Sequence, residues 1–436
     1  MPSMCVRMGE ASTPGTSGTP GTSGTSGTPD TPGTPGTPGR PGRPGTPDTT
    51  DSIGGSGRCS LEPGEGMKLG EFLRGVRVLD LSHYIPGPLA SLTLADMGAD
   101  VLKIEPPNGD GMQRLGPRDA HGQGLFYAAI NAGKSVLKLN LKDDGDRQRF
   151  LALNAEADVL IEGFRPGVMS RLGIDYAALR SVNSALVFCS IGGYGANTAQ
   201  ATRAGHDANY LAEAGVLDRN GHDRPVYFDP PIADATGGLY AALAILGALN
   251  ARNRTGEGSH IELALADAIM PLQQFQIAEF GANGFVPGRG QTYLNGGAAY
   301  YNVYRTCDQQ HVVIGAVEEK FWHAFCVAAD RRQWIARQAE PIPQAGLMAD
   351  VAAYFATLTV DECDTLFADV DCCYSKVLAL DAAMSSPYVN ERELVRRSAE
   401  HHLQALFPAW VGGEPPATRE PFRELDAGRT EPLWRS

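Results

Sequence analysis

The chain carries no excess of positive charge: its 37 lysines and arginines face 50 aspartates and glutamates, a formal net charge of −13. A protein that binds phosphate backbones needs a basic face, so this balance excludes nucleic acid as the expected partner. Long apolar runs are also missing. The longest, residues 239–249, falls short of the ~20 residues that a bilayer helix requires, and no membrane partner is expected. The first residues, Met1-Pro-Ser-Met-Cys-Val-Arg7, lack the apolar segment of a secretory signal. Eight cysteines are scattered and none forms a Cys-x-x-Cys pair, which points to reduced thiols and a cytoplasmic location.

Glycine and proline, by contrast, are abundant, at 52 and 30 residues, and unevenly spread. Residues 12–57 are almost entirely Thr, Pro, Gly and Ser. Such a stretch cannot bury enough apolar surface to offset chain entropy, so disorder is expected. Glycine recurs there at every third position from Gly15 to Gly45 except at Asp30, and one missing glycine disrupts a triple helix. Met67, just ahead of the first folded-looking segment, is expected to open the working protein. The expected organisation is a leader over residues 1–66, a large α/β domain over 67–290, a smaller α+β domain over 291–384, and a return segment with an irregular tail over 385–436.

The α/β expectation rests on alternation. Short apolar runs at residues 76–81, 99–104, 135–139, 158–161, 186–190 and 259–264 read as strands. Helical spacing at residues 89–97, 144–155 and 239–251 lies between them, the pattern of a parallel sheet. Residues 300–307 and 311–315 read as a hairpin. Ligands of parallel sheets bind beyond the carboxyl ends of the strands, so the following loops are where chemistry belongs.

Two loops and three side chains stand out. Ser190-Ile-Gly-Gly-Tyr-Gly195 follows a strand but lacks the full dinucleotide fingerprint. Lys134, Lys138 and Lys142 form a basic stretch in an acidic protein, fitting a solvated strand edge and an anion site equally well. Asp234 follows Pro230-Pro231 and opens a long apolar helix, where it can act as an N-cap or place a carboxylate at the positive end of the helix. Gly237 and Gly238 weaken that helix by ~1 kcal/mol each against alanine, which makes sense if something approaches the backbone closely. His206 lies in Gly205-His-Asp-Ala-Asn-Tyr210, with Asp207 able to cap a short helix. If His206 and Asp234 converge, an imidazole and a carboxylate on opposite sides of one carbon can remove and return a proton. The carboxylate can instead attack an acyl group. Glu318 is a candidate to orient His206.

Taken together these motifs resemble the family III CoA-transferases, the group that also contains α-methylacyl-CoA racemases. The resemblance runs through Gly75-Val-Arg-Val-Leu-Asp-Leu81, Pro86-Gly-Pro88, residues 94–107, Gly133-Lys134, Asp158-Val-Leu-Ile-Glu-Gly-Phe-Arg-Pro-Gly167, Arg171-Leu-Gly173, Gly205-His-Asp-Ala-Asn-Tyr210, Ala233-Asp234, Thr255-Gly-Glu-Gly258 and Asn295-Gly-Gly297. It implies an interlocked homodimer whose Rossmann-like large domain is built from both chain ends, with the active site between the large domain of one chain and the small domain of the other. By the same resemblance Asp234 is the acyl nucleophile of a transferase or one acid/base of a racemase. His206 is then the racemase's second acid/base and Glu318 its support. Lys134, Arg165, Arg171, Asp207 and Tyr210 fall where the family holds CoA, whose phosphates need cations. No metal and no resident cofactor is implied, CoA entering as the thioester substrate.

Two reactions and one bystander role remain open. A transferase needs no histidine at position 206, whereas Gly205-His-Asp-x-Asn-Tyr210 and Gly315-Ala-Val-Glu318 look racemase-like. Against this, Glu105 is followed by Pro106 where racemases carry an arginine, and residues 108–127 are similar to transferases. The expectation is a 2-methylacyl-CoA racemase, with a CoA-transferase as alternative and a non-catalytic acyl-CoA binder as second alternative.

Overall fold

A computed structural model describes residues 66–399, 402–426 and 433–434. The Thr/Pro/Gly/Ser segment, its interrupted glycine period and the expected leader, apart from Gly66, lie outside the described residues.

The apolar runs form strands β1 (Arg77–Leu81), β2 (Asp100–Glu105), β3 (Ser135–Lys138), β4 (Val159–Glu162), β5 (Val187–Gly192) and β6 (Ser259–Ala264). Between them run α1 (Pro86–Asp96), α2 (Leu125–Asn131), α3 (Asp144–Glu156), α4 (Val168–Leu172), α5 (Tyr176–Val182), α6 (Asp207–Glu213) and α7 (Ile232–Thr255). The strands join one parallel sheet in the order β3-β2-β1-β4-β5-β6. Successive side chains of a strand point to opposite faces, and here both faces are covered. Val78, Val159, Ile161 and Val187 pack with α1, α6 and α7. Leu79, Leu160 and Phe188 pack with α3, α4 and α5. This double burial is why the strands read as continuous apolar runs rather than alternating ones.

Two helices begin earlier than their sequence suggests. Pro86-Gly-Pro88 is not a break before α1 but its first turn, where proline's missing N–H has no partner to lose. α7 begins at Ile232, ahead of its apolar run, and reaches 24 residues. It is thereby long and apolar enough to cross a membrane, but 44% of its most apolar stretch is buried inside the fold, against α1 and the sheet. Gly238 explains the fit with α1: a Cβ there would stand 2.6 Å from the Pro86 carbonyl and 3.1 Å from Leu89. Close approach of a neighbouring backbone is therefore what that glycine serves, and the neighbour is α1.

Beyond β6 the helix α8 (Leu265–Ala268) is separated by Pro271 from α9 (Gln274–Asn283). The hairpin β7 (Tyr301–Arg305) and β8 (His311–Gly315) forms as expected and is extended by β9 (Tyr374–Lys376) into an antiparallel sheet. With α10 (Glu319–Ala328), α11 (Ala345–Phe355) and α12 (Val360–Phe367) it encloses a separate aromatic core of Trp322, Phe325, Phe355 and Phe367. After the short antiparallel pair β10 (Val395–Arg397) and β11 (Leu403–Ala405), the chain returns to the first sheet as β12 (Arg423–Leu425), parallel to β3 at its edge. The return is pinned by a partly buried ion pair, Arg419 Nε to Asp96 Oδ1 at 2.6 Å.

Candidate active site

The loops leaving the carboxyl ends of β1, β4 and β5 converge, as open parallel sheets require. They line a cavity of about 360 Å³ with Ser82, His83 and Tyr84 from β1, Phe164 and Arg165 from β4, and Ile191 to Gly193 from β5. Arg203 to His206, Tyr210, Asp234 and Leu265 complete the wall. His206 and Asp234 therefore face one space, though 28 positions apart in sequence.

Asp234 is the third residue of α7, not its cap. The capping is done by Asp207, whose Oδ1 accepts from the N–H groups of Ala233 at 2.6 Å and Asp234 at 3.1 Å. Two consequences follow. The Asp234 carboxyl is not engaged in capping, and burial, aided by the negative charge of Asp207, pushes its pKa up to about 6. The N–H groups of Ala233 and Asp234 are already engaged by a carboxylate, which removes them as oxyanion donors. Asp207, expected to cap the short helix α6, is its first residue and caps α7 instead.

His206 caps α6, with its own N–H donating to Asn209 Oδ1 at 3.0 Å. The loop that carries it is set by Tyr210, whose hydroxyl donates to the Gly205 carbonyl at 2.6 Å. The Tyr210 ring lies in a slot left by Gly193 and Gly205, where added Cβ atoms would come within 2.6 and 2.8 Å of it. Tyr210 thus supports the His206 loop as well as lining the cavity.

The remaining expected residues are placed unevenly. Arg165 lines the cavity. Arg171 is exposed on α4, its guanidinium near Gly167, outside that cavity. Glu318 is the exposed N-cap of α10 and does not reach His206's cavity within one chain. Lys134 is a correction: it is fully buried, donating to the Pro88 carbonyl at 2.9 Å and Asn131 Oδ1 at 3.0 Å, and pairing with Asp80 at 3.4 Å. Burial, against the attraction of Asp80, pushes its pKa down to about 7. It therefore presents no charge to a phosphate. Of the three lysines, Lys142 lines a groove, one of about 400 Å³ that shares Ser82, His83, Tyr84 and Phe164 with the cavity. Its walls include Pro106, Leu139, Leu141 and Leu172. Lys138 pairs with Glu424 at 3.3 Å.

His83 and Tyr84, absent from the sequence candidates, stand at the junction of groove and cavity. Their one sequence signal is position, immediately past the end of β1. Beneath them lies a buried ionic cage. Asp80 accepts from Ser82 N at 2.9 Å, from the Ser82 hydroxyl and from the Ser91 hydroxyl at 2.5 Å. Burial pushes the Asp80 pKa up, but the charges of Lys103 and Lys134 and these hydroxyls together hold it down at about 2. Lys103 donates to the Ser82 carbonyl at 2.6 Å and pairs with Asp110.

Proteins similar to this chain include both a racemase and a CoA-transferase. The human α-methylacyl-CoA racemase is 31% identical over 73% of this chain and 81% of its own length. The acetyl-CoA:oxalate CoA-transferase of Acetobacter aceti is 37% identical over 55% of this chain, which spans 62% of that protein's length. The crystal structure of a CAIB/BAIF family protein from Brucella suis superposes with a TM-score of 0.71 at 27% identity, covering 80% of this chain and 96% of that one. The family model described as CoA-transferase family III matches residues 73–422. That span takes in the whole sheet up to the approach to β12 and every loop that lines the cavity, and the chain belongs to the CoA-transferase family III.

Proposed function

We propose that the chain racemises or epimerises 2-methylacyl-CoA thioesters by two-base transfer of the α-proton. The observation that carries this is an imidazole and a carboxyl of raised pKa, not engaged in capping, that line one cavity: His206 and Asp234. A general base works best with a pKa near the operating pH, and about 6 for Asp234 meets that condition. In the forward step an ionised Asp234 takes the α-proton and the C–H electron pair moves into the thioester carbonyl as an enolate. Protonated His206 then returns a proton to the opposite face, leaving Asp234 protonated and His206 neutral. The thioester enters along the groove, whose apolar walls take the CoA body while Lys142, Arg165 and Arg171 meet its phosphates.

The expected homodimer belongs to this reading. α9 buries none of its residues, and Phe275, Ile277 and Phe280 on it are 77%, 50% and 57% exposed. Leu239 and Leu243 of α7 are exposed too. A face this apolar calls for a covering partner, and a second, interlocked copy also brings its own Glu318 to His206. Sedimentation is expected to give twice the chain mass of 46.3 kDa. A monomer at micromolar concentration would remove Glu318 from the site.

The decisive assay is incubation with a chiral 2-methylacyl-CoA in D2O without any acceptor acid. Deuterium at the α-carbon and loss of stereochemical purity are expected, and their absence in the native protein overturns the proposal. His206→Ala is expected to slow racemisation by ~10²–10³. The 37% identity to an acetyl-CoA:oxalate CoA-transferase favours a second reading, acyl transfer through an anhydride on Asp234. Hydroxylamine trapping of acyl-Asp234 in the presence of an added carboxylic acid would establish it.

A further inference from the structure

Five non-glycine residues among those described hold left-handed backbone. Four have local reasons: Gln309 is in the β7–β8 turn, Asp330 follows α10, Cys373 precedes β9, and Glu393 ends a short helix. Tyr84, at φ +62°, is the one that lines the cavity of His206 and Asp234. An aromatic side chain is disfavoured in that region, and such strain persists only where the surroundings impose it.

Here the surroundings are on both sides of the residue. Ser82, two positions earlier, is held at its N–H and hydroxyl by Asp80 and at its carbonyl by Lys103. Two positions later α1 begins, its first turn closed by Leu89 N to Ile85 O at 2.8 Å and tethered through Pro88 to Lys134. The connection between these anchors turns the Tyr84 ring toward the cavity. Its hydroxyl lies against Gly111, where a Cβ would be 3.0 Å away. Its ring meets His83 at 5.0 Å and His206 at 6.2 Å, the latter at 89°.

We propose that Tyr84 is a positioning residue whose ring fixes the orientation of the His206 imidazole within the cavity. The buried Asp80–Lys103–Lys134 cage holds the strained backbone that delivers it. The proposal rests on the reading of His206 as a proton-transfer group. A side chain that merely stabilises the fold and one that orients a catalytic group differ in what their removal does to stability.

Tyr84→Gly relieves the left-handed strain, so its thermal midpoint is expected at or above that of the native protein. Its kcat for α-deuterium exchange is expected to fall about tenfold with KM changed less than about twofold, the signature of lost orientation rather than lost binding. Tyr84→Phe keeps the ring and is expected to match the native enzyme. An unchanged kcat in Tyr84→Gly overturns the proposal, as does a rise in KM alone, or a loss of activity that tracks a fall in thermal midpoint. Relaxation of the ¹³C-histidine-labelled protein, with His206 assigned through His206→Gln, gives a readout independent of turnover. The His206 ring is expected to be ordered in native protein and Tyr84→Phe and mobile in Tyr84→Gly. Equal mobility in all three overturns the positioning role. An ordered ring in a native protein without exchange activity refutes the proton-transfer reading alone.

Discussion

Asp234→Asn is expected to lose activity by ~10⁴, the upper range for removal of a general acid or base, and yet to be more stable than the native protein at pH 8. The activity loss follows from the role proposed for the carboxylate, since an amide can neither take the α-proton nor form an anhydride. The gain in stability follows from the pKa. Burial first, then the charge of Asp207, raises Asp234 from 3.8 to about 6, so ionisation works against the folded state. The sign is definite: the unfolded chain releases this proton at lower pH, so the native protein loses stability as pH rises from about 4 to 6. At pH 8 the whole penalty applies, ~3 kcal/mol for a shift of this size. The neutral amide escapes it. Urea denaturation of both proteins at pH 8 and pH 4 measures the difference, expected to be largest at pH 8 and to vanish near pH 4. Equal stability at both values would mean that Asp234 is not held in a desolvated site. In the native enzyme the rate of exchange is expected to rise with pH through about 6, as the base ionises.

Asp80→Asn is expected to destabilise the protein by about 4 kcal/mol. The substitution keeps the shape but removes the carboxylate that pairs with the fully buried Lys134, while Lys103 keeps its own partner, Asp110. Breaking a buried ion pair from one side leaves an uncompensated charge, typically costing ~3–5 kcal/mol. Adding Lys134→Met to this variant removes the stranded cation, and most of the loss should be recovered. A double variant as weak as the sum of the singles would show that the pair is not energetically coupled. The pH dependence provides an independent check. Asp80 is held at about 2, below its unfolded value, so its contribution is complete above about 4 and is lost as pH falls through 2. That acid limb, ~2 kcal/mol for a shift of this size, should be missing from Asp80→Asn.

The sequence candidates fared differently for identifiable reasons. Asp234 was legible because two prolines precede it and a long apolar helix follows, and a helix entrance is defined locally. Its freedom from capping was not, because the cap comes from Asp207 in a different helix. The lysine stretch showed charge but not direction. Lys134 is enclosed because Asp80 at the end of β1 and the first turn of α1 close over it, and neither neighbour is near it in sequence. Tyr84 carried no signal as a residue type, since a tyrosine after a strand is ordinary. Only its backbone angle and the ring opposite set it apart. Glu318, expected to support His206, caps α10 beyond the β7–β8 hairpin, a part of the chain that lines a different core from the His206 cavity.

By itself the sequence determined six strands of the main sheet, their parallel arrangement and the β7–β8 hairpin. These depend on residues close together in the chain: apolar runs, turn residues and the side-chain period of two or 3.6. The family resemblance rests on the same local motifs. The tertiary structure decided which charges are free and which are already engaged. Asp207 caps α7, Lys134 neutralises Asp80, and Asp234 is left with a raised pKa. The physical reason is that desolvation and charge pairing are set by neighbours in space. In a sheet whose strand order is β12-β3-β2-β1-β4-β5-β6, those neighbours come from distant parts of the chain.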